Sequence, residues 1–401
     1  MSIRKIYVDF AATTPVDPRV LEAMQPFFSK KYGNASSLNS FGVEAKKALE
    51  QSRETMTRFM NADLDEVAFT GSATEANNLV LKGHAFNEGK EKCHLAVSVI
   101  DHDSVLNSAR WLEKAGYKVT FLPVDQYGFL KTEDLEKALE EKATLVSVVH
   151  GNNEIGTIQE AEEIAKKCHE SGALFHTDAV QSFGKILINV KTASFDFMTV
   201  NAHKIYGPKG VGVLYIRKGL CLEPLIHGGG HEFGLRSGTE NIPGIVGFAK
   251  AMEIRREEMK PETDRLTRLR DKLIKGALEI EDSHLNGPST RRLCNNVNIR
   301  FSYIEGESVV LALDTEGIAA SSGSACSSTS GEPSHVLLAI GLKPEEARGS
   351  LRLSLGKYNT QDDVNYILEI LPKVIRRLRA MSPLNRDSER AGGGQDSITR
   401  S

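Results

Sequence analysis

Short apolar strands alternate with helical segments through the first two thirds of the chain. These strands are apolar on both faces instead of on every second residue, as the sequence LAVSVI of residues 95–100 illustrates. Strands of this kind belong to parallel sheets that helices cover on both sides. The pattern therefore predicts an α/β fold with a mostly parallel sheet. The predicted strands cover residues 66–70, 95–100, 118–122, 145–150, 173–178 and 197–200, and helices are predicted over residues 74–81, 104–114 and 159–170.

The pattern changes after residue 251. A charged helix over residues 254–260 is predicted to end at Pro261, because proline has no N–H to continue the hydrogen-bond ladder. An apolar stripe with helical spacing follows at Leu266, Leu269, Leu273 and Ala277. The remaining predicted elements are strands over residues 297–301 and 351–355, and a helix that begins at Thr360 with Asp363 in a variant of the capping box.

A chain of 401 residues is too long for one ordinary core, so two domains are expected. We predict a large domain over residues 16–255. Residues 1–15 and 256–384 are predicted to form a smaller α/β domain. The tail over residues 385–401 is rich in glycine, serine and charged residues, and we predict that it is disordered.

Charge and cysteine content exclude several classes of function. The formal net charge is −3, so no basic field indicates a nucleic-acid partner. No apolar run has the length of a membrane span, and the first seven residues lack the apolar core of a signal peptide. The five cysteines are widely spaced and form no Cys-x-x-Cys pair, so neither a zinc site nor a disulfide framework is predicted. We expect a cytoplasmic protein with no metal site and no membrane partner.

Cys326 differs from the other cysteines in its surroundings, since residues 321–328 read SSGSACSS. A structural cysteine usually lies among apolar neighbours, whereas a reactive one needs exposure and a route to the thiolate. This segment therefore predicts a mobile nucleophile. The remaining cysteines, which lie next to apolar segments and are expected to serve ordinary packing, are Cys93, Cys168, Cys221 and Cys294.

Asp178 and Lys204 follow two neighbouring predicted strands at the points where these strands end. Ligands bind at the carboxyl ends of strands in open α/β sheets. A lysine can form a Schiff base, and a carboxylate can hold a pyridine nitrogen protonated. Taken singly, Asp178 could be a strand-end cap and Lys204 a surface lysine. Together they predict a pyridoxal 5'-phosphate site.

Two further segments suit that cofactor. Residues 70–75 join a strand to a helix and offer the hydroxyls of Ser72 and Thr74, so they could bind a phosphate or form a plain helix cap. His102 follows the strand over residues 95–100, where an imidazole could stack on a ring or move protons. Alternatively, this turn could be a helix cap supplied by Asp103 or Ser104.

Other polar positions indicate substrate and anion binding. Asn153 could bond to substrate or to a ring oxygen, although an asparagine there could equally serve only the turn. The glycine-rich, basic residues 228–239 suit anions. Arg352 lies in a predicted strand and could bind a substrate carboxylate through two parallel bonds, or form an ordinary salt bridge.

The chain as a whole resembles cysteine desulfurases of the NifS/IscS type, which are class V enzymes of pyridoxal-phosphate fold type I. The resemblance extends from residue 7 to about residue 360. It is carried by these segments: residues 7–15 (YVDFAATTP), 69–78, 150–156, 176–181, 203–210, 236–239, 321–328, 332–335 and 350–355. It implies a large domain with a mostly parallel sheet and a smaller C-terminal α/β domain.

The resemblance also implies how the cofactor is bound. Lys204 would form the Schiff base, Asp178 would pair with the pyridinium nitrogen, and His102 would stack over the ring. The other implied cofactor contacts are Gln181 and Asn153 at the ring, and Ala73, Thr74, Asn201 and His203 at the phosphate. Thr239 would reach the phosphate of the other subunit, which implies a homodimer.

The implied reaction converts L-cysteine to L-alanine and leaves a persulfide on Cys326. Asn34, Asn153 and Arg352 would orient the amino acid. The sulfur would pass to an iron–sulfur scaffold or a tRNA-thiolation protein, with Cys326 at most a transient ligand of a partner's cluster. Rival interpretations are another class V enzyme, such as an aminotransferase or a selenocysteine lyase, and a scaffold without activity.

The sequence departs from the family pattern at two positions. Asn201 stands where many relatives have serine or threonine, so one hydrogen bond to the phosphate is expected to differ. Asn39 stands where a histidine is common near the active site. Neither departure removes a group that carries chemistry.

Overall fold

The computed structural model describes residues 4–323 and 332–383, and the elements below lie within these ranges. The strands are β1 (Ile6–Tyr7), β2 (Val67–Thr70), β3 (His94–Ser98), β4 (Lys118–Leu122), β5 (Leu145–Ser147), β6 (Leu174–Asp178), β7 (Phe197–Asn201), β8 (Gly212–Ile216), β9 (Ser283–Leu285), β10 (Asn296–Phe301), β11 (Ile318–Ala319) and β12 (Ser350–Ser354). The helices are α1 (Pro18–Met24), α2 (Pro26–Ser29), α3 (Ser40–Met60), α4 (Ala73–Glu88), α5 (Asp103–Lys114), α6 (Thr132–Glu140), α7 (Ala161–Glu170), α8 (Val190–Ala193), α9 (Ile242–Ala277), α10 (Gly306–Thr315), α11 (His335–Ala339), α12 (Pro344–Arg348) and α13 (Gln361–Met381).

The chain divides into two compact units. The large unit comprises Ala11–Asn153 and Thr157–Thr263. The small unit comprises the described residues up to Phe10, the segment Glu154–Gly156 and the described residues from Asp264 onwards. The domain boundaries predicted from the sequence, at residues 15–16 and 255–256, stay a prediction. The tail over residues 385–401, predicted to be disordered, lies outside the described residues.

A seven-stranded sheet with the order β2-β8-β7-β6-β5-β3-β4 forms the centre of the large unit. The pairs from β7 to β4 are parallel, and β8 is antiparallel to both of its neighbours. The mostly parallel α/β fold predicted from the apolar strands is thus confirmed. Because β3, β5, β6 and β7 run the same way, their carboxyl ends lie along one edge of this sheet.

Both faces of the central sheet are buried, as the continuous apolar strands predict. Within β3, Leu95 and Val97 belong to one core and Ala96 to the other, since successive side chains point to opposite faces. Helices α4 and α5 cover the first face, with residues such as Val80 and Leu106 in its core. Helices α3, α6, α7 and the first part of α9 cover the second face.

The small unit has its own core around a three-stranded antiparallel sheet with the order β12-β10-β9. All residues of the apolar stripe predicted from Leu266 to Ala277 are buried in this core. The final helix begins as predicted, because the Thr360 side chain accepts from the N–H of Asp363 while the Asp363 carboxylate accepts from the N–H of Thr360.

The prediction that a helix ends at Pro261 is wrong. Helix α9 is 36 residues long in total and continues past Pro261 as far as Ala277. Proline in a helix interior removes one hydrogen bond and costs about 3 kcal/mol. Apolar residues of α9 are buried on both sides of that position, from Phe248 and Met252 to Leu266 and Leu269. The burial of this long apolar stripe outweighs the local cost of the proline.

Three of the four cysteines expected to pack are buried, namely Cys93, Cys168 and Cys294. Burial raises the pKa of the Cys93 thiol to about 11 and that of the Cys168 thiol to about 12, so neither is a thiolate near neutral pH. The expectation is wrong for Cys221, which is exposed, because it lies in the loop that follows β8.

No helix among the described residues is long and apolar enough to cross a membrane.

Candidate active site

The predicted site residues of the large unit cluster at the edge where the parallel strands end. Asp178 is the last residue of β6, and its register partner on β7 is Thr199. Asn201 ends β7, and Lys204 closes the short 3-10 turn that follows. His102 comes four residues after the end of β3, directly before α5. The sheet therefore brings together positions that are distant in the sequence.

Lys204 is half-buried, so it is not the solvated surface lysine of the alternative interpretation. Its Nζ donates hydrogen bonds to the carbonyl oxygens of Ala11 at 2.5 Å and Ala12 at 2.7 Å. The backbone near Lys204 is held by a second contact, because the N–H of Thr14 donates to the carbonyl of His203 at 3.0 Å. The segment that begins at Ala11 thus fixes the position of the amine.

Gln181 lies beside Lys204, since its Nε2 donates to the same carbonyl oxygen of Ala11 at 2.8 Å. Gln181 is 6% exposed and sits three residues after Asp178 in the loop that follows β6. One backbone oxygen therefore joins two predicted cofactor residues. The contact also explains why Ala11, from the N-terminal motif, belongs to this site.

The Asp178 carboxylate is buried, with 5% of the residue exposed. Its Oδ1 accepts from the N–H of Val180 at 3.0 Å, so the strand-end cap considered above is present. Its Oδ2 accepts from Nδ2 of Asn77 at 2.8 Å. Asn77 lies on α4 and is completely buried. A side chain from a helix thereby orients the carboxylate that was predicted to face a ring nitrogen.

His102 itself caps helix α5. Its Nδ1 accepts from the N–H of Ser104 at 3.1 Å and also lies 2.9 Å from the Ser104 hydroxyl. The sequence alternative, in which Asp103 or Ser104 supplies the cap, is wrong, because the imidazole fills that place. These two contacts with Ser104 fix the imidazole of His102 at the edge of the sheet.

Asp101 is a buried acid that the sequence reasoning did not single out. It precedes His102, and its carboxylate accepts from the N–H of Val149 and, at 3.4 Å, from the hydroxyl of Ser147. Complete burial, together with the nearby charge of Asp178, holds the pKa of Asp101 well above its usual range. The bond to Val149 also explains why β5 ends at Ser147, earlier than predicted.

The predicted phosphate cup lies at the N-terminus of α4. The Ser72 hydroxyl accepts from the N–H of Glu75 at 3.1 Å, so Ser72 is the helix cap. Strand β8 passes directly beneath this turn. A Cβ on Gly212 would lie 2.8 Å from the carbonyl carbon of Ser72 and 3.0 Å from the nitrogen of Ala73. The N–H groups at the start of a helix lack intrahelical partners and suit an anion, and the exposed Thr74 adds a hydroxyl there.

His203 lies in the same 3-10 turn as Lys204, and Asn201 caps that turn. The Asn201 side chain accepts from the N–H of His203 at 3.5 Å, a long capping bond. Burial, with the charges of Lys204 and Lys209 nearby, lowers the pKa of His203 to about 4. The imidazole is therefore neutral at pH 7 and lies 3.1 Å from the Thr13 hydroxyl through Nδ1.

The remaining predicted residues of the large unit are more loosely placed. Asn34 is exposed, and its Oδ1 accepts from the N–H of Ser36 at 2.9 Å. Asn153 is half-buried and Thr239 is exposed. The buried Asn152 joins the loop after β5 to the loop after β3, because its Nδ2 donates to the carbonyl of Ile100 at 2.9 Å.

In the small unit, Arg352 lies on β12 and is 2% exposed. Its Nη2 donates to Oδ1 of Asp9 at 2.9 Å, so the ordinary salt bridge of the alternative interpretation is present. Arg352 also exchanges two backbone hydrogen bonds with Ser321, at 2.7 Å and 3.2 Å. Cys326 lies outside the described residues.

Residues 6–367 match the family described as Aminotransferase class-V. The chain belongs to this family. Among the curated relatives, it is 52% identical over 380 residues to cysteine desulfurase IscS 1 of Archaeoglobus fulgidus, which covers 95% of this chain and 99% of that protein. This class-V chain is therefore a member of the cysteine desulfurases, as the sequence motifs predict.

Solved structures agree with this assignment. A NifS-like protein matches with a TM-score of 0.88 and 40% identity, over 94% of this chain and 100% of that one. A structure described as SspA in complex with cysteine matches with a TM-score of 0.79 and 37% identity, over 89% of this chain and 100% of that one. The predicted fold type I is confirmed by these neighbours.

Cysteine desulfurases of the class-V family use pyridoxal phosphate. The arrangement in the large unit fits that group. It offers a primary amine held by two carbonyl oxygens at Lys204, a buried carboxylate at Asp178, and a helix N-terminus held against β8 at Ala73. The buried amide oxygen Oδ1 of Asn77 has no hydrogen-bond partner among the described residues.

Sequence reasoning missed several residues that this site uses. Ala11 and Ala12 contribute backbone oxygens, and every residue type has a backbone oxygen, so their side chains give no signal of this role. Only their place in the motif of residues 7–15 could have indicated it. Asn77 lies three residues after Thr74 on α4, and Ser104 lies in the first turn of α5. Both are polar and buried, but a single sequence does not reveal which face of a helix meets the sheet edge.

Proposed function

We propose that this protein converts L-cysteine to L-alanine and receives the sulfur on Cys326 as a persulfide. The observation that carries the proposal is the clamp of Lys204 and Gln181 on the Ala11 carbonyl, beside the buried Asp178 carboxylate. This clamp occurs in a class-V chain 52% identical to a cysteine desulfurase. A half-buried amine and an oriented carboxylate at the same edge of the sheet are what chemistry at an amino-acid Cα requires.

Bound pyridoxal phosphate supplies an electron sink for charge that develops at the substrate Cα. Asp178, oriented by Asn77 and Val180, accepts the hydrogen bond of the ring N–H. Lys204 holds the cofactor in the resting enzyme and then takes the Cα proton at Nζ. Ala73, Thr74, Asn201 and His203 bind the phosphate, while Gln181 and Asn153 contact the ring.

Arg352 and Asn34, with Asn153, orient the substrate. Arg352 binds the carboxylate through its guanidinium, whose planar fork of N–H donors matches the geometry of a carboxylate. His102 covers the ring and moves protons near the substrate. These roles follow the family pattern position by position.

Cys326 acts as a thiolate on the substrate sulfur. The new S–S bond forms as the Cβ–S bond breaks, and the electron pair of the broken bond stays with carbon. A proton delivered to that carbon makes the methyl group, and Lys204 returns a proton to Cα, which completes alanine. The proton of the substrate thiol remains on the outer persulfide sulfur or passes to solvent. The sulfur is then passed to a cytoplasmic acceptor, an iron–sulfur scaffold or a tRNA-thiolation protein.

A homodimer belongs to the same proposal. Thr239 is exposed in the single chain, as a residue that reaches a second subunit's phosphate would be. Several large apolar side chains are also exposed around α2 and the start of α3, and patches of this kind mark interfaces. They are Phe28 (62% exposed), Tyr32 (65%), Leu38 (99%) and Phe41 (50%). Light scattering is expected to give twice the mass of one chain, and Thr239→Ala is expected to weaken cofactor retention without changing that mass.

The function is tested by incubating the protein with L-cysteine and measuring alanine, sulfide and the persulfide on Cys326 by mass spectrometry. Cys326→Ala should lose the persulfide and lower sulfide release at least about 100-fold, because the nucleophile is missing. Cys221→Ala, which removes an exposed thiol in the loop after β8, should behave as the wild type. Sulfide release that survives in Cys326→Ala would contradict the assigned role. A keto-acid product would favour an aminotransferase instead.

A further inference from the structure

Three hydrogen bonds join His102 to Asp178 through two intervening side chains. The His102 Nδ1 lies 2.9 Å from the Ser104 hydroxyl, and that hydroxyl lies 2.9 Å from Nδ2 of Asn77. The same Nδ2 lies 2.8 Å from Oδ2 of Asp178. Asn77 is fully buried, Ser104 is 8% exposed and Asp178 is 5% exposed. This series, called the His102–Asp178 chain below, connects α5, α4 and the end of β6.

The directions of these bonds follow from donor and acceptor chemistry. A carboxylate oxygen only accepts, so the amide NH₂ of Asn77 faces Asp178. Its second N–H is then directed at the Ser104 oxygen, which accepts it. A flipped Asn77 amide would place its oxygen against the carboxylate and leave the NH₂ buried without a partner. The Ser104 hydroxyl proton is consequently free to be donated to His102.

His102 Nδ1 therefore accepts from both donors of Ser104. The hydroxyl lies at 2.9 Å and the backbone N–H at 3.1 Å. A proton on Nδ1 would point at an N–H that cannot turn away, because that N–H belongs to the first turn of α5. The neutral imidazole must then carry its proton on Nε2.

We propose that Asn77 and Ser104 are positioning residues that fix His102 as the Nε2–H tautomer and tie its orientation to that of the Asp178 carboxylate. The proposal rests on the function proposed above and sharpens the role of His102. In the resting enzyme His102 presents the N–H of Nε2 to the substrate, so the first proton that it can move there is one that it donates. Removal of the Cα proton is thereby left to Lys204.

The first test reads the tautomer directly. Holoenzyme is labelled with ¹⁵N-histidine, and the His102 signals are assigned by their loss in His102→Gln. The wild type should show a protonated Nε2 and an unprotonated Nδ1. Ser104→Ala should move the Nδ1 resonance towards that of a weaker acceptor, because one of two donors is removed. Ser108→Ala removes a buried hydroxyl one turn later on the same helix and should leave the His102 signals unchanged, since that hydroxyl donates to the Ser104 carbonyl at 2.7 Å.

A proton on Nδ1 in the wild type, or a His102 spectrum that is identical in Ser104→Ala, would overturn the proposal. Neither reading depends on turnover of L-cysteine. The wild-type enzyme could show the Nε2–H tautomer and yet make no alanine from cysteine. That result would contradict the proposed function but would support this inference about His102.

The second test concerns Asn77. Asn77→Leu keeps the approximate volume of the side chain but cannot donate to Asp178. This variant is expected to shift the visible absorption band of the bound cofactor. It should also lower kcat about tenfold or more and leave KM little changed, because it loses a hydrogen bond to a charged group. Asn77→Ser, which keeps a donor in a smaller side chain, covers the case in which leucine does not fold. An unchanged absorption band in a folded variant would refute the coupling to Asp178.

Discussion

The carbonyl oxygen of Ala11 lies 2.5 Å from Nζ of Lys204. The same oxygen accepts from Gln181 at 2.8 Å, so one peptide group sets the spacing of two side chains that come from different loops. The Lys204 amine is half-buried and held by two carbonyl oxygens, with Ala12 as the second. An amine in this setting is positioned before any ligand arrives, which lowers the entropic cost of forming the reactive arrangement.

Lys204→Ala is expected to abolish the visible absorption of the bound cofactor and to lower alanine formation about 10³-fold or more, because both the cofactor attachment and the base at Cα are lost. Absorbance spectra and alanine assays measure these effects. The exposed Lys209 offers a matched control in the same loop, and Lys209→Ala should keep the band. A band that persists in Lys204→Ala would refute the lysine assignment.

Arg352→Lys is expected to raise KM for L-cysteine about tenfold while the protein stays folded. Lysine keeps the charge next to Asp9 but cannot grip a carboxylate through two parallel bonds. Asp9→Asn should raise KM less, since it removes only the partner that orients the guanidinium. If Arg352 were purely structural, both variants would lower the thermal midpoint and leave KM as in the wild type. Steady-state kinetics combined with melting curves distinguish the two cases.

The sheet and the positions of Asp178 and Lys204 in the site could be predicted because the sequence patterns that indicate them are local. Apolar runs such as residues 95–100 mark strands buried on both faces, and polar residues directly after such runs, Asp178 and Lys204 among them, must share one edge when the strands are parallel. The helix cap at Thr360 could be predicted in the same way, because its partner Asp363 lies only three residues away in the sequence.

Other features depend on contacts that no local pattern encodes. Asn77 and Asp178 are separated by 101 residues, and only the docking of α4 against the sheet brings them together. The continuation of α9 through Pro261 was missed for a related reason: the propensity of one residue favours a break, but the burial of residues on both sides decides the outcome.

Two buried histidines predict an acid-sensitive fold. Burial lowers the pKa of His150 to about 4 and that of His176 to about 3. An unfolded histidine titrates near pH 6.5, so below that pH the unfolded chain binds more protons than the folded one. The stabilisation by the neutral histidines is complete above pH 6.5 and is lost as the pH falls towards 4. Each should cost about 2 kcal/mol of unfolding free energy between pH 7 and pH 5.

The measurement is the urea unfolding midpoint of His176→Gln across that pH range. His176 lies between the hydroxyls of Ser147 at 2.8 Å and Thr199 at 3.1 Å, so the variant loses stability at every pH. Its stability should nevertheless fall less steeply between pH 7 and pH 5, because one titrating group is gone. Thr199→Val disturbs the same contact but keeps the histidine, and it should retain the wild-type slope. Equal slopes in His176→Gln and the wild type would contradict the assignment.

A buried ion pair anchors the glycine-rich residues 228–239. Arg53 on α3 donates to both carboxylate oxygens of Glu232, at 2.7 Å and 2.8 Å, and Glu232 also accepts from the N–H of Phe69 on β2 at 2.7 Å. The guanidinium lies 5.0 Å from the ring centres of Phe69 and Phe233. Glu232 and Phe233 have φ values of 48° and 60°, in the left-handed region, so this turn needs outside support.

Arg53→Ala is expected to lower the unfolding free energy by about 3–5 kcal/mol, because it leaves a buried carboxylate without its partner. Arg58 lies on the same helix and pairs with Glu54 in solvent, and Arg58→Ala should change stability by less than about 0.5 kcal/mol. Arg53→Met combined with Glu232→Leu should recover part of the loss, since no charge then stays buried. Denaturant unfolding of the three variants provides the comparison. If Arg53→Ala lowered the unfolding free energy no more than Arg58→Ala, the Arg53–Glu232 pair would not be what holds this turn.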